Sequence, residues 1–431
     1  MRKIFSSFLA LLFIASVVSA QDTLKVMDYN LLKYGISMSG CTNPIATKNI
    51  YLKTIIESAL PDIFVVNEIG TNSLYADNIL VNVMQVVNPA YQRAAFTDDA
   101  NSDETNMLYY DSDKLGLRSQ SVIAHSLRDI NFYTLYYKDA NLATTQDTIF
   151  IHIIGVHLKA GSTGSDQSQR LNQAQLIMTF MGNQGDPGNY LVMGDFNIQS
   201  STEGCYQEFV AASNLDIRLY DPINSPGSWN NNSSFAGIHT QSTRTASESD
   251  CGSNGGMDDR FDFILATDYV MQGTDRVTYV PGSYGAMGQD GLRFNQTITS
   301  PANTLVNTSV ANALYGMSDH LPVILKLKVA GTQVKREAIL ASSQASIFVH
   351  QVETLPGDNL KLLVESNQLN RLNFNLVVRD VSGKIVQEVP VVVNAGSQEI
   401  MLESSSFSRG VYFCSFISEK GERIGLRVLK F

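Results

Sequence analysis

The stretch that most constrains the fold of this chain is Leu191–Ser200, LVMGDFNIQS. Its apolar residues predict a buried strand that runs into Gly194, and alternate residues of an extended segment face the same way. Asp195 and Asn197 therefore share one side of the chain, where a carboxylate and a carboxamide can act on one substrate atom. The alternative interpretation is a polar turn after a strand, because Gly, Asp and Asn all favour turns.

Three further predicted strands end in side chains with related chemistry, namely Asn30, Glu68 and His157. The amide oxygen of an asparagine can bind a hard cation, although an asparagine at a strand end is also a common turn former. Glu68 follows a near-continuous apolar run, where a buried carboxylate is costly unless it is paired or bound to a cation. A metal ligand is the favoured interpretation of Glu68, and a solvent-facing side chain is the alternative.

The last two predicted strands of this region add a carboxylate and an acid–histidine pair. Asp262 lies inside the apolar run Phe261–Leu265, so its carboxylate needs a partner. Asp319 and His320 are adjacent and precede the alternating strand that ends at Val329. A turn before a strand explains Asp319 but leaves His320 unexplained.

The alternation of strand-like and helical segments over residues 21–330 predicts a layered α/β domain with its site at the strand ends. Helices are predicted over residues 47–59, 73–87 and 166–181. Residues 221–256, which contain Trp229, are rich in Asn, Ser and Gly and predict a long surface loop. Residues 331–346 read as a linker, and successive strands in residues 347–431 predict a small all-β sandwich without a catalytic role.

The first 20 residues have the pattern of a secretory signal peptide. Arg2 and Lys3 precede the apolar run Phe8–Val18, and small residues end the segment, so the mature chain is expected to begin at Gln21. A membrane anchor is the alternative, but the run is shorter than the ~20 residues that cross a bilayer. No later stretch is apolar and long enough to predict a transmembrane segment in the mature chain.

The formal net charge of −10 argues against a protein that coats polyanions through a basic patch. It favours transient contact with an anionic substrate, aided by a divalent cation.

The four cysteines lie too far apart for a zinc ribbon or a redox motif. An exported chain can form a disulfide, and the sequence does not choose among the pairings. The pairing that we expect is Cys205 with Cys251.

The candidate residues occur in ordered motifs. They are MDYN with Asn30, VVNEIG with Glu68, GVHLKAG with His157, GDFN with Asp195 and Asn197, DRFDFIL with Asp262, and SDHLPV with Asp319 and His320. This set resembles the endonuclease/exonuclease/phosphatase superfamily, which includes pancreatic-type deoxyribonucleases, abasic-site endonucleases, sphingomyelinases and inositol polyphosphate phosphatases. The resemblance implies a deoxyribonuclease I-like, four-layered α/β sandwich and hydrolysis assisted by Mg²⁺ or Mn²⁺, and it leaves a Ca²⁺ site open.

The resemblance assigns Glu68 to the metal, with Asn30 and Asp319 near or on it. One position departs from the pattern of some DNA-repair members, which have an aspartate two residues after the first asparagine. This chain has Leu32 there. A repair-type site and a second metal are therefore less expected.

The resemblance also assigns roles around the reacting phosphate. Asp195 orients or deprotonates the attacking water, Asn197 holds the phosphate, and His157 and His320 contact phosphate oxygens. Asp262 orients His320 and is expected to raise its pKa, so that the protonated imidazole can donate to the phosphate.

The last segment resembles the C-terminal sorting domain of proteins exported by the type IX secretion system. The matching pieces are VVRDVSGKIV, SFSRGVYFCSF and the terminal RVLKF. This resemblance implies handling by the type IX machinery, export through the periplasm of a Gram-negative bacterium, and a secreted or cell-surface location. It also implies that the tail, with Cys414, is removed after translocation.

The leading hypothesis is a secreted, metal-dependent phosphodiesterase, a nuclease for which extracellular DNA or RNA is a transient substrate. A sphingomyelinase-like lipid phosphodiesterase or another phosphoesterase of the superfamily is the alternative. A lipid enzyme needs an exposed apolar loop, for which Tyr284–Met287 and the loop of Trp229 are the candidates. A surface-displayed binding module with a degenerate site is the alternative from another class. The sequence leaves open DNA against RNA, endo- against exonucleolytic cleavage, and the oligomeric state.

Overall fold

Two compact units make up the chain, Met1–Thr332 and Gln333–Phe431. The computed structural model describes residues 21–124, 127–140, 142, 148–185, 187–331, 338–339, 347–352, 359–366, 371–418 and 423–430. The predicted signal peptide and most of the predicted linker lie outside the described residues.

The first unit is built on two mixed β-sheets. The strands of the first sheet are β1 Gln21–Tyr34, β2 Ile63–Gly70, β3 Tyr91–Arg93, β4 Glu104–Asp111, β11 Val277–Tyr279, β12 Gly285–Ala286 and β13 Val323–Ala330. Their order is β11, β13, β1, β2, β4, β3, with β12 also paired to β13. β1 runs parallel to β2 and antiparallel to β13, so the end of β1 lies beside the start of β13.

The second sheet has six strands. They are β5 Leu115–Ala124, β6 Ile130–Tyr137, β7 Phe150–His157, β8 Tyr190–Asp195, β9 Leu219–Tyr220 and β10 Asp262–Thr267. Their order is β5, β6, β7, β8, β10, β9. β8 runs parallel to β7 and antiparallel to β10, which places the start of β10 beside the end of β8.

The helices of this unit cover the outer faces of the sheets. They are α1 Ile45–Ala59, α2 Ser73–Ile79, a π-helical segment Leu80–Met84, α3 Gln85–Val87, α4 Gly164–Asn183, α5 Gly204–Val210, a 3₁₀ segment Ser233–Ile238, α6 Asp268–Gln272 and α7 Thr308–Met317. α4 begins with a capping box, in which Thr163 and Asp166 satisfy each other's backbone N–H groups. α1 ends at Ala59, and its C-cap residue Leu60 directly precedes Pro61, which disfavours a helical residue before it.

The inner faces of the two sheets pack against each other and form the main core. Val65 of β2, Ile153 of β7 and Met193 of β8 belong to it and are fully buried. A second core lies between the second sheet and α4 and includes Phe263 and Ile177. The order of layers is therefore helix, sheet, sheet, helix, and the predicted four-layered α/β sandwich is confirmed.

The second unit is a β-sandwich with its own core. Its strands are β14 Ala338–Ile339, β15 Ile347–Val352, β16 Asn359–Ser366, β17 Leu372–Asp380, β18 Ile385–Val393, β19 Gly396–Glu403, β20 Gly410–Ser418 and β21 Arg423–Lys430. They form two four-stranded antiparallel sheets, in the orders β14, β15, β16, β19 and β18, β17, β20, β21. Alternate residues such as Leu362, Leu376 and Phe416 point inward and fill the core, as the period of two predicts.

The expected disulfide is wrong. Cys251 is bonded to Cys41, not to Cys205. Cys205 lies on α5, where it is buried in the second core as a free thiol, because it faces Phe263 and its neighbours rather than the loop of Cys251. No spacing signal in the sequence favours Cys41, which lies 210 residues from its partner.

The predicted surface position of Trp229 is also wrong. Its side chain is fully buried against Tyr206 and Phe263, because the long loop folds back over the second sheet. Tyr284 and Met287, the other candidates for membrane contact, pack against the main core. Neither candidate loop therefore presents its large apolar side chains to a lipid surface. Among the described residues, none of the helices has the length and apolar character needed to span a bilayer.

Candidate active site

The predicted polar side chains meet at one edge of the two sheets of the first unit. β1, β2, β7 and β8 arrive there with their carboxyl ends, and β10 and β13 begin there because they are antiparallel to their neighbours. Strand register places His157 and Asp262 on either side of Asp195, as its Cα partners on β7 and β10. The sheet topology thus concentrates residues that are far apart in sequence.

Gly194 allows β8 to approach β7 closely at this edge. Its φ is +146°, and a Cβ atom added there would lie 1.8 Å from the carbonyl oxygen of Val156. A larger residue would push the strands apart, so the glycine of the GDFN motif is needed to place Asp195.

Asp195 lies at the centre of the site and is 2% exposed. Its Oδ1 accepts a hydrogen bond from the backbone N–H of Asn197 at 3.0 Å, and its Oδ2 accepts one from Asn30 Nδ2 at 3.0 Å. The Nε2 atoms of His157 and His320 lie 3.6 Å and 3.8 Å from the same Oδ2. One carboxylate therefore contacts or faces four of the predicted site residues.

The pKa of Asp195 is raised to about 7. Burial is the largest cause, and the carboxylates of Asp262 and Glu68 act in the same direction, while the charge of His320 opposes them. A carboxyl group with a pKa near neutrality is suited to accept a proton from water and release it again.

His320 and Asp262 form a buried pair. His320 Nδ1 lies 2.8 Å from Asp262 Oδ2, and its Nε2 lies 2.6 Å from the side-chain amide of Gln241. Burial alone would lower the pKa of His320, but the charges of Asp262 and Asp195 outweigh it and raise the pKa well above its usual range. The direction is the one expected from Asp262, whose charge favours the protonated imidazole.

Glu68 is held in a strained backbone conformation. Its φ is +56°, which is uncommon for a residue with a side chain and is found mainly at functional sites. Its carboxylate accepts hydrogen bonds from Asn30 Nδ2 at 2.9 Å and from the backbone N–H of Lys33 at 3.0 Å. Two donors from the end of β1 therefore fix the direction in which Glu68 points.

Glu68, Glu104 and His157 fit a divalent cation and are called the Glu68 group here. Each offers one ligand atom, and the three atoms lie within 4.8 Å of one another. Burial raises the pKa of Glu68, and the charges of Glu104 and Asp319 raise it further, so a bound cation would relieve the repulsion between these carboxylates. His157 Nδ1 has no hydrogen-bond partner among the described residues, and burial together with Arg128 lowers the pKa of His157 well below its usual range. Two carboxylates and a neutral imidazole are donors that a divalent metal accepts.

Asn30 and Asp319, which the sequence places near or on the metal, both lie at the site but are occupied by protein hydrogen bonds. Asn30 turns its amide nitrogen to the carboxylates and its oxygen to the backbone N–H of Leu32 at 2.9 Å. Asp319 Oδ2 accepts hydrogen bonds from the backbone N–H of Ser253 at 2.7 Å and from Gln241 Nε2 at 3.3 Å. In this arrangement Asn30 orients neighbouring groups, and a ligand role for either residue stays a prediction.

Sequence reasoning missed three polar residues of the site. Glu104 begins β4 instead of ending a strand, and Gln241 lies in a loop, so neither has a local signal. Asn67 does have one, because a fully buried amide inside an apolar strand needs partners. It donates to Asn106 Oδ1 at 2.8 Å and accepts from the backbone N–H of Asp195 at 3.2 Å.

A groove of about 1080 Å³ opens over these side chains. The predicted residues that line it are Glu68, His157, Asp195, Asn197, Asp319 and His320. Asn30 and Asp262 are fully buried and support this lining from behind. The structure therefore brings all eight predicted residues to one place, six of them at the groove surface.

The family described as Secretion system C-terminal sorting domain matches residues 358–428, within the second unit. This match confirms the sorting domain that the tail resembles, and it implies export of the chain. No curated protein matches the chain significantly.

Several solved structures are similar to the chain at low identity. An endonuclease/exonuclease/phosphatase from Beutenbergia cavernae DSM 12333 is 14% identical, with 95% of this chain and 100% of that chain covered and a TM-score of 0.41. The human Nocturnin catalytic domain with bound sulfate anion is 16% identical over 71% of this chain and 97% of that chain, with a TM-score of 0.42. D. rerio TDP2 complexed with single strand DNA product is 11% identical over 71% of this chain and 98% of that chain, with a TM-score of 0.45. The chain is thus similar to proteins of the endonuclease/exonuclease/phosphatase family, which its ordered motifs resemble, and in its tail to secretion sorting domains.

Proposed function

We propose that this protein is an exported, divalent-cation-dependent phosphodiesterase, and specifically a nuclease that hydrolyses extracellular DNA or RNA. The observation that carries the proposal is the convergence of Asp195, the His320–Asp262 pair and the Glu68 group in one groove.

The chemistry of a phosphodiester explains why these groups belong together. Its hydrolysis requires positive charge on the non-bridging oxygens, a water molecule in line with the leaving oxygen, and stabilisation of that oxygen. The Glu68 group would hold Mg²⁺ or Mn²⁺, which supplies Lewis-acid stabilisation of phosphate charge when bound. His157 would then be a ligand, although the sequence resemblance gives it a contact with the phosphate.

The remaining residues orient the reactants and move protons. Asp195 accepts a proton from the attacking water, for which a pKa of about 7 is suitable. His320, kept protonated by Asp262, donates to a phosphate oxygen, and Asn197 holds the phosphate from the same side of the chain as Asp195. Asn30 and Asn67 fix the positions of the carboxylates through hydrogen bonds.

A nucleic acid is favoured over a lipid as the substrate, because the two loops that were candidates for membrane contact pack their large apolar side chains inward. Trp229 is fully buried, and Tyr284 and Met287 pack against the core. A lipid phosphodiesterase needs apolar side chains at the surface to reach a headgroup in a bilayer.

The proposal assigns a separate function to each part of the chain. Residues 1–20 act as a signal peptide, residues 21–330 form the catalytic domain, and residues 331–346 link it to a sorting domain in residues 347–431. The type IX machinery recognises this domain and exports the protein from the periplasm of a Gram-negative bacterium to the surface or the medium.

A substrate panel tests the proposal. The purified mature chain is incubated with DNA and RNA oligonucleotides, plasmid DNA, sphingomyelin and inositol phosphates, first with Mg²⁺ or Mn²⁺ and then with EDTA. We expect hydrolysis of nucleic acid that EDTA abolishes. Cleavage of the lipid alone would overturn the choice of substrate, and full activity in EDTA would overturn the dependence on a cation.

A further inference from the structure

The charges along the groove restrict the substrates that it can bind. Among the described residues that line it, the cationic side chains are Lys33 and Arg128, and the carboxylates are Glu68, Asp103, Glu104, Asp195 and Asp319. The carboxylates of the lining outnumber its lysines and arginines by five to two, so few positive side chains other than His320 are placed to contact a phosphate.

Arg128 is already engaged by protein groups. Its Nε lies 2.5 Å from a carboxylate oxygen of Glu104, and its Nη1 donates to the carbonyl oxygen of Leu158 at 3.2 Å. The guanidinium therefore balances a carboxylate of the Glu68 group, which weakens its attraction for a phosphate.

Lys159 is engaged in the same way beside the groove. It is adjacent to the lining residue Ala160, and its Nζ lies 3.0 Å from Asp166 Oδ1.

Lys33 is the lining cation without a carboxylate partner among the described residues. Its Nζ lies 3.0 Å from the sulfur of Met38, and the residue is partly exposed at the site end of β1. It is therefore able to turn toward an anion in the groove.

In the predicted mature part of the first unit, the residues outside the described ranges add no lysine or arginine. Between residues 21 and 331 they are His125, Ser126, Asn141, Ala143–Asp147 and Asp186. None of these is a lysine or an arginine.

Phosphate contacts from Lys and Arg supply much of the affinity for a long nucleic acid, and a protein with a strong salt dependence makes about six to ten of them. This groove offers the centre at the scissile phosphate and, beyond it, Lys33. We propose, on the basis of the proposed function, that the substrate brings at most two phosphates to the protein: the scissile diester and one neighbour held by Lys33. Short single-stranded nucleotide chains meet this condition, and long duplexes do not.

Salt dependence measures the number of phosphates engaged. For the full mature chain at a fixed saturating concentration of Mg²⁺, kcat/KM is measured between about 50 and 200 mM NaCl on three probes: the p-nitrophenyl ester of thymidine 5′-monophosphate, a thymidine decamer and a duplex of about 30 base pairs. Two contacts predict that kcat/KM on the decamer falls about sevenfold over this range, whereas six to ten contacts predict a fall of about 10³–10⁵-fold on the duplex. The duplex should be the poorest of the three substrates.

A matched pair of variants isolates Lys33. Lys33→Met should lower kcat/KM on the decamer at low salt and reduce its salt dependence to about that of one contact, a fall of less than about threefold. The loss on the decamer should exceed any loss on the single-phosphate ester, because only the decamer carries a second phosphate. Lys53→Met removes the same charge from α1, where Lys53 faces Glu57 at 3.5 Å outside the groove, and should behave like the wild type on all three probes.

The outcomes separate this proposal from the proposed function. A duplex that is the preferred substrate, with a fall of 10³-fold or more over this salt range, overturns the two-phosphate limit but leaves the nuclease intact. Identical salt dependence for Lys33→Met and the wild type on the decamer overturns the role of Lys33. Failure to hydrolyse any of the probes with Mg²⁺ or Mn²⁺ overturns the proposed function and this inference with it.

Discussion

Asp195 and His320 approach each other within 3.8 Å at the groove surface, and each has one proposed task in proton transfer. We predict that Asp195→Asn and His320→Ala each lower kcat by about 10²–10⁴-fold, the range for one acid–base group. The measurement is steady-state hydrolysis of an oligonucleotide, with circular dichroism to show that the variants fold. Asp216→Asn, at an exposed position, is the matched control and should keep full activity. A variant that retains wild-type kcat removes its residue from the mechanism.

Glu104 is the residue whose role depends most on the structure, because no local sequence pattern singles it out. We predict that Glu104→Gln weakens the activating cation by about tenfold or more, since the Glu68 group loses one of its two carboxylates. The half-saturating Mn²⁺ concentration is measured by activity and, without substrate, by calorimetry. Asp103→Asn, at the neighbouring position on the groove rim, serves as the control. Unchanged Mn²⁺ affinity in Glu104→Gln would place the cation elsewhere.

Individual residues differ in how far the sequence could reveal them. Asp195, Glu68 and His320 could be found because each is a polar side chain at the end of an apolar segment, where only a functional or paired role is favourable. Glu104 and Gln241 follow no such segment, and only the packing of the two sheets brings them to the site. The local sequence pattern indicates which residues are buried, but it does not indicate which distant loop packs against them.

At the scale of elements, the long strands and the helices α1, α2 and α4 of the first unit were predictable, whereas its short strands, the helix α7 and the loops were not. Period and length identified the strands, and proline or glycine marked their ends. The loop of Trp229 has the composition of a surface loop, yet its single tryptophan fills the second core. The disulfide also depends on two loops whose meeting has no sequence signal.

The Cys41–Cys251 bond joins two loops that both line the groove. In the second loop, the backbone N–H of Ser253 binds Asp319 Oδ2. We predict that the Cys41→Ser/Cys251→Ser double variant loses about 2–5 kcal/mol of unfolding free energy, the range for a native disulfide, and has a higher KM because the groove wall is loosened.

Urea unfolding and steady-state kinetics measure these two effects. Treating the wild type with dithiothreitol should reproduce both of them, and the same treatment should leave the double variant unchanged. A double variant with wild-type stability and KM would show that the bond does not support the groove.

For the whole molecule, the two units have separate cores, and the candidate site lies entirely within the first. We predict that residues 21–330 alone fold cooperatively and hydrolyse oligonucleotides with a kcat within about twofold of that of residues 21–431. The comparison uses both proteins under the same conditions, with thermal unfolding as the measure of folding. A loss of activity in the shorter protein, despite cooperative unfolding, would give the tail a part in the reaction.

The Cys41–Cys251 bond between the two loops has a consequence for where the proposed activity can develop. Cytosolic thiols are kept reduced, so the bridge is expected to close only after the polypeptide has left the cytosol. Until then the two loops would not be linked by the disulfide. Under the proposed function, the reduced protein would be less active toward nucleic acids inside the producing cell. Oxidation would thus coordinate the gain of activity with departure from the cell.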